Sequence, residues 1–250
     1  MTTRDLTGTT AIVTGASRGF GRSIAASLAQ AGAKVVAVAR DGAALEQLRE
    51  QAGDAVTPVV GDAADPVLAG RLLATYSPDT LVLNAGALPL PRPLQMHTWE
   101  TFNLNWDMDV RQAFNWSREA LLKPLAPGST VISFSSAAAI GGSPMSGGYA
   151  GAKATVKFIS AYAAGEAQAG SLGIRFVSVL PGLSAATQLG AAGAQAYADR
   201  MGIPVSAFLE RMGPELTTEH VGKAIVDLAA DESLDQPAYM VGPNGLNPLG

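Results

Sequence analysis

The chain has 250 residues, a formal net charge of −4, two histidines and no cysteine. A chain without cysteine has no disulfide framework, thiolate nucleophile or thiolate metal site, and its acidic balance offers nucleic acid no basic footprint. No apolar run approaches the ~18 residues of a membrane helix, and Met1 to Leu6 carries Arg4 and Asp5 with no apolar stretch behind them, so a soluble cytoplasmic protein without a membrane partner is expected.

The first strand–turn–helix–strand organises the rest. Thr10 to Thr14 is a short β-branched run that predicts a buried strand, and it breaks into Gly15-Ala16-Ser17-Arg18-Gly19-Phe20-Gly21. Ile24 to Ala29 predicts a helix ending at Gly32, and the valine-rich run Ala33 to Ala39 predicts a second strand, parallel to the first through a right-handed crossover. Three glycines in seven positions between a strand and a helix have a physical use. Without Cβ atoms the backbone turns sharply and approaches a pyrophosphate, whose charge meets the free N–H groups of the helix start. The spacing is G-x-x-x-G-x-G and not the general G-x-G-x-x-G, so the loop alone is a weak signal.

Further on, Gly42 to Arg49 predicts a helix with Leu45 and Leu48 inward, Val56 to Val60 a third strand ending at Gly61-Asp62, Val67 to Tyr76 a helix, and Thr80 to Leu83 a fourth strand running into Asn84-Ala85-Gly86. Pro89, Pro91 and Pro93 exclude helix or inner strand. One long helix is predicted from Thr98 to Leu122, stopped by Pro124 and Pro127. Thr130 to Phe134 is the fifth strand, Ala137 to Gly148 a small-residue loop, Gly151 to Gln168 a helix, and Ile174 to Leu180 a sixth strand ending at Pro181-Gly182. Residues 183 to 216 leave the alternation and predict one or two short helices; Glu219 to Ala230 and Ala238 to Val241 are the last helix and strand. The pattern predicts a single α/β domain over residues 1–250, a Rossmann-like doubly wound parallel sheet of about seven strands with helices on both faces. An insertion at about 184–214 is expected to cover a substrate, because long segments after strand carboxyl ends are where such sheets hold ligands.

Tyr149 and Lys153 stand at i and i+4 on one predicted helical face, and Ser135 and Ser136 at the carboxyl end of the fifth strand. A tyrosine hydroxyl is a poor base near neutrality, but an adjacent ammonium favours the phenolate, and a serine hydroxyl can hydrogen-bond a reacting carbonyl oxygen. Y-x-x-x-K is weak by itself, since an aromatic and a solvated lysine often share a helix.

Together these residues resemble the short-chain dehydrogenase/reductase family over nearly the whole chain. Its T-G-x-x-x-G-x-G is similar to Thr14 to Gly21, its adenine-contacting Asp to Asp62 (with Ala63 beside it), its N-A-G to Asn84-Ala85-Gly86, its Y-x-x-x-K to Tyr149 to Lys153, and its P-G to Pro181-Gly182. The family's serine lies thirteen residues before the tyrosine, which selects Ser136 over Ser135. The resemblance implies NAD(P)-dependent hydride transfer at a ketone or secondary alcohol, a small-molecule carbonyl or alcohol substrate, and a homodimer or homotetramer. Tyr149 would be the general acid/base, Lys153 would tune it and hold the nicotinamide ribose, and Ser136 would position the substrate oxygen. Gly15, Ser17, Arg18, Gly19, Phe20, Gly21, Arg40, Asp62, Ala63, Asn84, Ala85, Gly86, Tyr149, Lys153, Pro181 and Gly182 are the implied cofactor-binding residues.

Two departures stand out. The family's fourth catalytic residue, an asparagine forty residues before the tyrosine, is matched by Asp109 here, with Asn105 one helical turn away; Asp109 substitutes if the main-chain carbonyl holds the relay water, the relay is altered if the side-chain amide matters, and a carboxylate there would also act on Tyr149 or bind a cationic substrate group. The usual threonine five residues after the proline is Ala186, with Thr187 one residue off. Family members that use NAD carry an acidic residue at the end of the second strand; Ala39 and Arg40 stand there instead, and Arg18 and Arg40 are placed to clamp a 2′-phosphate, so NADP(H) is expected over NAD(H), although Asp41 is a possible ribose partner. A non-catalytic NADP(H)-binding regulator or assembly subunit is the alternative that the two departures suggest, and the intact Ser136, Tyr149 and Lys153 set argues against it. His97 and His220 have no partners at metal-ligand spacing, Trp99, Trp106 and Trp116 predict core or subunit packing, and Ser143-Pro144-Met145 is a candidate substrate contact.

Overall fold

Valine, isoleucine, alanine and leucine runs form the strands. They are β1 (Thr10–Thr14), β2 (Lys34–Ala39), β3 (Val56–Val60), β4 (Thr80–Leu83), β5 (Thr130–Phe134), β6 (Arg175–Pro181), β7 (Ala238–Gly242) and β8 (Gly245–Pro248). The computed structural model describes residues 4–249; Met1 to Thr3 of the predicted Met1–Leu6 start, and Gly250, lie outside the described residues. The sheet order is β3-β2-β1-β4-β5-β6-β7-β8, parallel through β7. Side chains alternate across it. Ala11, Val13, Val35 and Ala37 face one core, built with Ile24 and Leu28 of α1 (Gly19–Gln30), Leu45 and Leu48 of α2 (Gly42–Ala52) and Ile225 and Leu228 of the helix before β7. Ile12, Val36, Val38 and Leu81 face the other, against Leu68 and Leu72 of α3 (Pro66–Tyr76) and helices from the second half. Burial on both faces explains why the inner strands read as unbroken apolar runs.

The predicted strand count of about seven is corrected to eight. β8 adds an antiparallel edge, with Gly242 opposite Gly245 and Gly245 at φ +98°. Its four residues are too few and too proline- and glycine-bearing to show a strand pattern, and the proline sits on the outer edge of the sheet.

The predicted long helix from Thr98 to Leu122 is also corrected. It follows a helical path but divides into α4 (Trp99–Asn105), a π turn (Trp106–Val110) and α5 (Arg111–Leu122). The extra residue in that turn shifts the face on which Asp109 stands, and single π turns of this kind gather at functional sites. Trp116 is fully buried and donates its indole N–H to the Ala63 carbonyl at 2.8 Å, whereas Trp99 and Trp106 are exposed.

A short helix α6 (Ala138–Gly141) interrupts the predicted 137–148 loop, and α7 (Tyr149–Ala169) begins two residues before its predicted start, on Tyr149 itself. Residues 183–216 contain α8 (Gln188–Met201) and α9 (Val205–Met212), which share a small core of Ala194, Ala198 and Phe208 separate from the two main cores. The last helix is α10 (Thr218–Ala230). Both histidines serve helix starts: His97 Nδ1 lies 3.1 Å from Thr101 Oγ1, and His220 Nδ1 accepts from Thr217 N at 3.2 Å. Among the described residues no helix is long and apolar enough to cross a membrane.

Candidate active site

Strand order reverses between β1 and β4, and the loops leaving the carboxyl ends of the sheet open a crevice there. The β1–α1 turn occupies it. Gly15 and Gly19 have φ of +68° and +53°, a region L side chains rarely adopt. No side chain caps α1 at Arg18, so its first N–H groups are left for an external acceptor, which the helix dipole favours as an anion. Gly21 packs beneath the turn, where a Cβ would lie 2.2 Å from the Gly15 carbonyl oxygen and 2.5 Å from Asn84 Nδ2. Gly21→Ala is therefore expected to weaken nucleotide binding by at least about tenfold, read by fluorescence titration with NADPH, because the turn must deform to admit the methyl group.

Thr14 holds this turn to the β4 loop. Its hydroxyl donates to the Val82 carbonyl at 3.2 Å and accepts from Asn84 N at 2.9 Å and Ala85 N at 3.2 Å. Asn84 Nδ2 donates back to Thr14 O at 3.1 Å, and Gln112 Nε2 donates to Ala85 O at 2.8 Å. The three-residue Asn84-Ala85-Gly86 segment is thus pinned from both sides.

The polar centre lies where β5, the π turn and α7 meet. Lys153 is buried; its Nζ donates to the Phe134 carbonyl at 2.9 Å and sits 3.0 Å from Asp109 Oδ2. The Asp109 carboxylate thus faces a buried ammonium directly. Asp109 Oδ1 accepts from Ala87 N at 2.8 Å and from Asn105 Nδ2 at 3.4 Å, and Asn105 also donates to Ala87 O at 2.8 Å. Burial, the largest single cause, disfavours the charge on Lys153, but the Asp109 carboxylate and Tyr149 together outweigh it, and the ammonium holds its proton more tightly than a free lysine.

Tyr149 opens α7, with Lys153 Nζ 5.7 Å from its ring centroid. It is half-buried, lines the crevice, and its hydroxyl meets no hydrogen-bond partner among the described residues. Ser135 is buried and its hydroxyl donates to the Lys153 carbonyl at 2.7 Å, leaving Ser136 as the more open hydroxyl, which accepts from Ala138 N at 3.2 Å.

The glycine turn, the Asn84-Ala85-Gly86 segment and the Asp109, Ser136, Tyr149 and Lys153 side chains border one cavity of about 1300 Å³. Of the residues the sequence singled out, Gly15, Ser17, Arg18, Gly19, Phe20, Arg40, Asp62, Ala63, Asn84, Ala85, Gly86, Asp109, Ser136, Tyr149, Lys153, Pro181 and Gly182 line it, and Gly21 does not: it supports the turn from below. Asp62 Oδ1 accepts from Ala64 N at 2.9 Å, and Pro181 ends β6. Thr187, left open by the sequence, caps α8 by accepting from Gly190 N at 3.0 Å, and Ala186 is exposed. Thr14, named only as the first residue of the glycine motif, and Asn105, named only as a neighbour of Asp109, turn out to hold backbone groups of the β4 loop, whereas sequence reasoning missed Gln112, which acts on a backbone carbonyl distant in sequence.

The family described as short chain dehydrogenase matches residues 9–197. The chain belongs to that family. Among relatives of this short-chain dehydrogenase, a short-chain type dehydrogenase/reductase of Picea abies is 31% identical over 257 aligned residues, covering 96% of this chain and 92% of its own. A protein of Sinorhizobium fredii, the uncharacterized short-chain type dehydrogenase/reductase y4eK, is 35% identical over 151 residues, and the match spans 60% of each chain. The crystal structure of a 3-ketoacyl-(acyl-carrier-protein) reductase from Brucella melitensis complexed with NADH is 26% identical, with a TM-score of 0.77 over 94% of this chain and 97% of that one. A nicotinamide cofactor thus goes with this fold. The chain's own geometry fits one: an uncapped helix start, a glycine turn that a Cβ would fill, and a crevice roomy enough for a dinucleotide and a second ligand.

Proposed function

We propose that the chain is an NADP(H)-dependent oxidoreductase that interconverts a ketone and a secondary alcohol, with Tyr149 as general acid/base. The observation that carries this reading is the Tyr149 hydroxyl, without a hydrogen-bond partner among the described residues, on the same cavity as the glycine turn and beside a buried ammonium. A bound nicotinamide supplies or accepts the hydride. Tyr149 gives its proton to the substrate oxygen in reduction and takes it back in oxidation, and Ser136 donates a hydrogen bond to that same oxygen. Gly15, Ser17, Gly19 and Phe20 would cradle the pyrophosphate with α1, Asp62 and Ala63 would flank the adenine, and Asn84, Ala85, Gly86, Pro181 and Gly182 would line the nicotinamide end. Lys153 holds a fixed positive charge near the phenol. Asp109, the fourth member of the set, acts through its contacts with Lys153 and the Ala87 N–H. Loss of NADPH absorbance across a panel of ketones tests the reading. Tight NADPH binding with no carbonyl reduced would favour the regulator alternative instead.

The preference for NADP(H) rests on the end of β2. Ala39 lines the cavity without a carboxylate, Arg40 and Arg18 are exposed and unpaired among the described residues, and Asp41 Oδ1 accepts the Ala44 N–H at 3.1 Å as the cap of α2. Charge-assisted bonds contribute about 1.5–3 kcal/mol. NADPH is expected to bind at least about tenfold tighter than NADH, and Arg40→Asp to erase or invert that ratio; equal affinities in the unaltered chain would exclude the preference.

The α8–α9 hairpin covers the substrate end, and the chain assembles as a homodimer or homotetramer. Support for assembly comes from α5 and α7, which leave Phe114, Leu122, Phe158 and Tyr162 between 53% and 64% exposed. Phe158→Glu with Tyr162→Glu is expected to yield monomers by light scattering after size exclusion, while the unaltered chain runs as a dimer or larger.

A further inference from the structure

The half of the cavity remote from Arg40 is walled by hydrocarbon. Leu88 and Leu90 come from the β4 loop, Met145 from the loop before α7, Leu183 and Leu189 from the β6–α8 segment, and Phe208 from α9. Six charged residues line the whole cavity among the described residues. Arg18, Arg40, Asp41 and Asp62 stand with the glycine turn and the ends of β2 and β3, and Asp109 and Lys153 neutralise each other. No other charged side chain lines the cavity among the described residues, and the Arg200 guanidinium approaches this wall only from behind Met145, whose Sδ accepts from its Nη1 at 3.2 Å.

The polar groups at this end are largely engaged within the protein. Ser143 Oγ and Tyr197 Oη lie 2.7 Å apart, so each hydroxyl has the other as partner, and the Tyr197 ring stacks on Phe208 at 5.9 Å between centroids. Ser146 Oγ donates to Ser143 O at 3.1 Å, and Thr187 Oγ1 both caps α8 and donates to Ser184 O at 3.0 Å. Gln188 is exposed at the rim, and Ser184 is buried beside the main chain of α8, its hydroxyl without a hydrogen-bond partner among the described residues. A sugar-like ligand would have to strip its hydroxyls of water against this wall without replacement bonds.

We infer that the substrate is an uncharged ketone or secondary alcohol with a hydrocarbon body and no second polar group, held by the Leu88, Leu90, Met145, Leu183, Leu189 and Phe208 wall while its single oxygen meets Ser136 and Tyr149. This specificity rests on the oxidoreductase reading and goes a step further, naming the class of molecule the site accepts.

The test compares three probes on the full chain with NADPH: 2-decalone, L-xylulose and acetoacetate, each followed by cofactor absorbance and by the thermal shift of the NADPH-loaded protein. The expected result is a kcat/KM for 2-decalone at least about 100-fold above either polar probe, since buried hydroxyls or charges left unpaired are rejected strongly. Turnover of the ketose or the keto acid at a rate comparable to 2-decalone overturns the inference. No turnover of any probe, with thermal stabilisation by 2-decalone alone, supports the apolar pocket while removing the oxidoreductase reading. No turnover and no stabilisation by 2-decalone overturns the inference as well.

Discussion

Tyr149→Phe is expected to lower kcat by about 10²–10⁴-fold while leaving NADPH affinity within a few-fold of the unaltered chain. The substitution removes one oxygen and keeps the ring that stands near the Lys153 ammonium. Because that oxygen has no hydrogen bond to the protein among the described residues, its removal orphans no buried partner and costs the fold little. Stopped-flow or steady-state loss of NADPH absorbance, paired with fluorescence titration, separates the two effects. A variant that keeps more than a tenth of the turnover would place the acid elsewhere, with Ser136 as the next hydroxyl on the cavity. Ser136→Ala is the weaker substitution, because a hydrogen bond to the substrate oxygen is removed and the proton source remains.

Asp109→Leu is expected to cost about 3–5 kcal/mol of folding stability, a large part of the ~5–15 kcal/mol that a domain possesses. Lys153 is 7% exposed on its side chain and its partner 1%, so the leucine variant leaves an ammonium out of water with only the Phe134 carbonyl for company. It also leaves Ala87 N without its acceptor, while Asn105 Nδ2 keeps the Ala87 carbonyl. Asp109→Asn keeps an acceptor for Ala87 N and loses the charge, so its loss should be smaller. Asp109→Leu combined with Lys153→Met removes both charges and should recover most of the stability, although it abolishes turnover. Urea unfolding of the four proteins gives these differences, and equal stability of Asp109→Leu and the unaltered chain would mean the ion pair contributes nothing. A stability loss alone fits a merely structural role, so kinetics must accompany it: as the fourth member of the set, Asp109 requires that the asparagine variant restore more kcat than the leucine variant under conditions where both are folded.

The pH dependence has a definite sign. Burial opposes the Lys153 charge most strongly of any single cause, Asp109 and Tyr149 together more than compensate, and the folded pKa lies above that of an unfolded lysine. A group whose pKa rises on folding stabilises the fold fully below its unfolded pKa, about 10.4 for lysine, and that contribution fades as pH climbs through the folded value. The part of the stability difference between the unaltered chain and Lys153→Met that depends on the ammonium should therefore hold through neutral pH and shrink only in strong alkali.

How far the chain could be read before folding depended on the range of the interactions. The inner strands were legible because two-sided burial writes them as continuous apolar runs, as in Leu81 to Leu83 and Val131 to Ile132. β8 was not, since its pairing rests on a proline- and glycine-bearing turn whose geometry only the neighbouring β7 makes favourable. The division of the predicted 98–122 helix was hidden for a similar reason: Asn105, Trp106 and Asp109 satisfy helical spacing well enough, and the π turn is imposed by where Ala87 and Lys153 stand in space. Counting placed Asp109 opposite the family asparagine but did not show what it would touch. The contact with Lys153 joins two helices forty-four residues apart in the chain, a separation no local pattern encodes. Residues 183–216 were legible only as an interruption, because α8 and α9 pack mainly on each other and carry alanines in place of a strong apolar stripe.

The most direct test of the central claim uses NADPH carrying deuterium at C4 of the nicotinamide, prepared separately on each face, with 2-decalone as acceptor and mass spectrometry of the alcohol formed. One of the two preparations should deliver a single deuterium to the carbinol carbon, and that delivery should disappear with Tyr149→Phe. Consumption of NADPH without deuterium at that carbon from either preparation would contradict hydride transfer at this site.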